Sequence, residues 1–88
     1  MIDPKGLYEF LVHLAEKMRE EGKSDLASEL NLASKHFLSS LTSEFYGTSM
    51  LALKRTLASH SDSLSKEDRG FANRYTKEIE EKWFRPTR

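Results

Sequence analysis

The stretch "DPKGLYEFLVHLAEKMREEG", Asp3 to Gly22, carries the signs of one complete helix. Asp3 before Pro4 reads as an N-cap with proline at the first helical position, where its missing N–H costs nothing, and Gly22 reads as the residue after the last turn. Between these marks Leu7, Leu11, Leu14 and Met18 recur at helical spacing, flanked by Phe10 and Ala15. The opposite side carries Glu9, His13, Glu16 and Glu20, which places that face in water.

The same grammar continues downstream. Ser24 can cap a second helix with the stripe Leu26, Leu30, Ala33, Phe37 and Leu41. At "LTSEFYG", Leu41 to Gly47, Thr42 or Ser43 can cap a third, with Glu44 set against the positive end of its dipole. Tyr46, Met50, Leu53 and Leu57 form its inner stripe. Gly47 lowers helix propensity by about 1 kcal/mol relative to Ala, so a single kinked rod is the alternative to separate second and third helices. "SHSDSLS", Ser59 to Ser65, lacks periodicity and reads as a loop. Ser65 and Asp68 stand at capping-box spacing and open a fourth helix, with the stripe Phe71, Tyr75, Ile79 and Trp83 broadened by Ala72, and Pro86 ends it. There is no strand-like alternation of any length. Short links force successive helices side by side, so the expected fold is all-α: a compact antiparallel bundle of four helices, or three if the second and third are one, forming a single domain over residues 1–88.

Composition narrows the function. Eighty-eight residues hold one small core, and 38% hydrophobic against 32% charged residues supply both its inside and its outside. Fourteen basic and fourteen acidic side chains cancel, leaving no global field to steer the chain onto nucleic acid or an anionic membrane. Without cysteine there is no disulfide framework, thiolate nucleophile or Cys-based zinc site. "MIDPKGLYEF" has no cationic start leading into an apolar run, and no segment approaches the roughly 20 apolar residues of a membrane helix. A soluble, cytoplasmic chain is the expectation.

Few residues offer chemistry. "KHFLSSL", Lys35 to Leu41, resembles the histidine-bearing helix of histidine phosphotransfer domains, whose exposed imidazole accepts a phosphoryl group. In that family a lysine and then a glycine follow the histidine at the third and fourth places; here Ser39 and Ser40 occupy them, so the chain is not assigned to the family. On a helical wheel His36 falls roughly 80° from the centre of its stripe, a boundary position. A carrier role for His36 is kept as the rival reading. Glu9, His13 and Glu16 could supply metal ligands, but bundle metal sites point Glu-x-x-His pairs inward, so no metal or cofactor is expected. His60, Asp62 and nearby hydroxyls have nothing to fix them as a catalytic set. The C-terminal "KWFRPTR" could stack on bases, yet its cations also complement a helix C-terminus, and no reader helix or wider basic patch accompanies it. Nucleic acid is therefore not the expected partner, and weak nucleic-acid binding through this tract is kept as a second alternative.

Apolar residues outside the stripes are the better clue. Val12, Leu32, Leu51 and Phe84 each project about 120° or more from their own helix's stripe. Converging, they would form a patch for a protein partner or a second copy, and Gly47 and Ala58 near Leu51 would permit close approach. The expected function is protein–protein contact, with no enzymatic activity and no small-molecule substrate.

Overall fold

A computed structural model describes residues 3–39, 42–60, 62 and 64–83, apart from the side chains at 39, 42, 43 and 83. It contains four helices: α1 (Pro4–Glu20), α2 (Ser24–Ser39), α3 (Thr42–His60) and α4 (Lys66–Trp83). The described residues include no strand, and none of their helices is long and apolar enough to cross a membrane.

The ends of α1 follow from three residues. Asp3 accepts the Lys5 N–H on Oδ1 at 3.2 Å, and its carbonyl takes the Leu7 N–H at 2.9 Å. At the other end Lys23 N–H reaches back to Met18 O at 2.8 Å and Gly22 N–H to Arg19 O at 3.1 Å, the paired bonds of a Schellman ending. That ending needs a left-handed residue, and Gly22 supplies it at φ 79°. Ser65 caps α4 as its spacing suggests, its Oγ accepting the Asp68 N–H at 3.0 Å. The start of α2 differs from expectation. Lys23 O accepts the Ala27 N–H, so Lys23 holds the cap position and Ser24 is the first helical residue. Capping by Thr42 or Ser43, the place of Leu41 in its stripe, and the stop at Pro86 lie outside the described residues.

Contacts between side chains fix an up-down-up-down order. Tyr8 stacks on Phe37 with ring centroids 5.0 Å apart, Phe37 meets Phe45 at 5.4 Å, and Phe10 meets Tyr75 at 5.6 Å. Each neighbour pair therefore runs antiparallel, α1 against α4 included. The radius of gyration is 12.2 Å, matching the roughly 12 Å of a folded chain of this length.

Leu7, Leu11, Leu14, Met18, Leu30, Leu53 and Ile79 are wholly buried, each worth about 1.5 to 3 kcal/mol of transfer free energy. The stripe of α1 is buried throughout. On α3 the inner face is turned relative to expectation: Phe45, Ser49, Ala52 and Thr56 are buried beside Tyr46 and Leu53, whereas Met50 and Leu57 are half-buried. Thr56 faces the core because its hydroxyl bonds within the helix, to Ala52 O at 2.9 Å; Thr76 of α4 does the same to Ala72 O at 2.7 Å. With Asp68, Ala72, Thr76 and Ile79 buried, the inner face of α4 leaves Phe71 at its edge, 43% exposed, correcting its place in the expected stripe. Leu64, inside the expected loop, is buried as well.

Candidate interaction surfaces

The Arg55 Nη1–Glu29 Oε2 ion pair, 2.7 Å long, sets the register of α2 against α3. One turn along from it, Leu32 and Leu51 stand at the same level on the outer sides of the two helices, 58% and 60% exposed. A second ion pair, Lys54 Nζ–Glu80 Oε2 at 3.1 Å, ties the other side of α3 to α4. Leu51 thus rises from a surface whose neighbouring charges are already neutralised within the chain. Val12 is half-buried on α1, one turn from Tyr8. Phe84 lies outside the described residues.

Two exposed apolar residues went unread in the sequence. Leu38, 73% exposed, directly follows the half-buried Phe37 and so stands about 100° from it around α2. Phe71 was masked by its i,i+4 relation to Tyr75, which suggested a common buried line. The signal that separates them is the run Asp68, Ala72, Thr76 and Ile79, legible only if a threonine is allowed to face the core.

Phe71 marks the seam of α1 and α4. Phe10 meets it at 5.9 Å, and one turn along His13 Nε2 lies 3.1 Å from Asp68 Oδ2. His13 therefore turns toward α4, away from the solvated row of Glu9, Glu16 and Glu20, although it stays 56% exposed. Two shallow clefts flank Phe71. One, about 140 Å³, is lined by Asp3, Phe71, Arg74, Tyr75 and Glu78; the other, about 270 Å³, by Lys66, Glu67, Gly70, Phe71 and Arg74. Burial, aided by the Asp3 carboxylate, pushes the Tyr75 phenol above its ordinary value, and the same two causes raise Tyr46. Gly70 is a mid-helix glycine with nothing within 4 Å of where a Cβ would stand. Such a residue costs α4 about 1 kcal/mol relative to Ala.

The candidates for chemistry stay scattered. His36 is half-buried on α2, and of the two serines that follow it in the phosphotransfer comparison neither has a described side chain. Glu9, His13 and Glu16 form no ligand set: among the described residues no three His, Asp or Glu side chains converge in a way that could hold a metal ion. His60 is half-buried and Asp62 exposed, with Ser61 and Ser63 between and beside them outside the described residues. Of the basic aromatic tract, only exposed Lys82 has a described side chain. Compared with protein-family models, curated proteins and solved structures, the chain matches none.

Proposed function

We propose that this chain works by protein–protein contact through the outer faces of α2 and α3, and that the occupant of this surface is a second copy. The observation that carries the reading is the pair Leu32 and Leu51, level with each other and more than half exposed on adjoining helices. Burying two leucines in a dimer removes apolar area from water at about 25 cal/mol per Å². The charges around them do not oppose self-pairing. With Lys54 and Arg55 already paired to Glu80 and Glu29 inside the chain, two α3 helices laid antiparallel about Leu51 bring no unpaired cation of these two to their centre. Gly47 and Ala58 are small enough for the helices to approach closely, and a chain of net charge zero does not repel its copy. A standard interface takes roughly 800 Å² from each partner, a modest share of the 5749 Å² that this chain exposes.

Sedimentation equilibrium tests the proposal. The unmodified chain is expected to dimerise, and Leu51→Glu to weaken assembly while the circular dichroism of the helices is unchanged. A monomer at the highest attainable concentration sinks the homodimer. So does a dimer indifferent to Leu32→Glu and Leu51→Glu together.

A further inference from the structure

We infer that the bare strip of α4 around Gly70 is a binding site for a peptide segment of another protein that combines an acidic residue with an apolar anchor. The strip is separate from the α2/α3 face and stands on different observations.

Gly70 has no role in the fold that requires glycine. Its φ is not positive, no neighbouring side chain or backbone would meet a Cβ there, and it sits one turn inside a regular helix, where glycine weakens the structure. What the missing side chain does create is space. It leaves an open, shallow face on α4, with about 270 Å³ of space over it, so that an incoming segment can lie close to the helix backbone. The neighbouring side chains define what fits. Phe71 stands exposed on one side and offers an aromatic face for an aliphatic or aromatic anchor. Lys66 and Arg74 stand one turn before and one turn after Gly70. Among the described residues neither of these cations is engaged by the chain's own carboxylates, unlike Lys54 and Arg55. Arg74 presents a planar fork suited to a carboxylate, and a carboxylate delivered over Gly70 would lie between the two positive charges. Glu67, Asp3 and Glu78 surround them, which disfavours a run of phosphates and favours a single acidic group.

The test is selection of short random peptides displayed on phage against the whole immobilised chain, followed by anisotropy titration of the enriched peptides after synthesis. Enriched peptides are expected to pair an Asp or Glu with an aromatic or aliphatic residue. Their binding should weaken about tenfold when Arg74→Gln removes the charged hydrogen bond. Gly70→Gln, which fills the strip and improves the helix, should weaken it at least as much, with the dichroism spectrum intact. Leu51→Glu should have no effect, so success or failure here is read independently of the dimer. Backbone amide resonances of Gly70, Phe71 and Arg74 should shift on titration. The inference is overturned if no peptide is enriched, if the enriched peptides lack an acidic residue, or if Gly70→Gln binds them as the unmodified chain does. Displacement of the peptides by a single-stranded oligonucleotide that itself requires Lys66 and Arg74 would also overturn it, in favour of nucleic acid.

Discussion

Toward α2, the first helix meets its neighbour closely along its length; toward α4 it stands further off, and rings fill the gap. Ala15 of α1 and Ala27 of α2 are both buried, and small side chains let two backbones approach. The α1/α2 seam carries one ring stack, Tyr8 on Phe37, whereas the α1/α4 seam is spanned by Phe10, Phe71 and Tyr75, with the His13–Asp68 contact at one end. Close aliphatic packing excludes water and ligands alike. A seam spanned by rings leaves edges and half-exposed faces, such as that of Phe71. One helix therefore has a side that secures the fold and a side that leaves surface for recognition.

Truncation separates the two sides most sharply. Leu11→Ala, at a wholly buried position, is expected to cost about 2 to 5 kcal/mol in a urea titration, whereas Phe71→Ala at the open seam should cost less than about 1 kcal/mol. Equal losses would mean that the α1/α4 seam is as much a core as the interior. A double-mutant cycle of His13→Ala with Asp68→Asn sharpens the point. With His13 more than half exposed, the coupling should not exceed about 1 kcal/mol, and a larger value would make this contact a principal tie between the helices. The smallest effect is alkaline. Tyr46 and Tyr75 hold their protons in the fold above the ordinary 10.0, while the unfolded chain releases them there. Their contribution is thus whole below about pH 10 and is lost as pH rises through their folded values. Melting temperatures followed upward from pH 9 should fall less steeply in Tyr46→Phe and Tyr75→Phe than in the unmodified chain.

The helices were legible because punctuation and periodicity agreed. Asp3 and Gly22 bracket α1 and Ser65 opens α4, each through a local hydrogen bond that needs no tertiary partner, and Pro4 takes the first helical position, where no donor is needed. Faces were less legible where polar residues are buried. Thr56 and Thr76 satisfy their hydroxyls inside their own helices and so count as core, which turns the inner faces of α3 and α4 away from a purely apolar stripe. Ser34 does likewise, donating to Asn31 O at 2.7 Å. Ser49 is wholly buried with no hydrogen-bond partner for its Oγ among the described residues, and no pattern of apolar residues could have placed it there. For the surfaces, exposure of Leu32 and Leu51 followed from the wheel, but which exposed residues share a level required the Glu29–Arg55 register. The smaller cleft beside Phe71 depends on where Asp3, at the start of α1, meets α4, which no single helix encodes.

Leu64 gives the α3–α4 connection an anchor, since its side chain is buried while Asp62 and Ser65 around it are exposed. A peg of this kind makes the link part of whatever cooperative unit contains α4. Detachment of the last helix, whether for exchange between copies or for cleavage by a protease, must first extract that leucine. Amide hydrogens of α4 should accordingly trade with deuterium in one concerted event that includes Leu64.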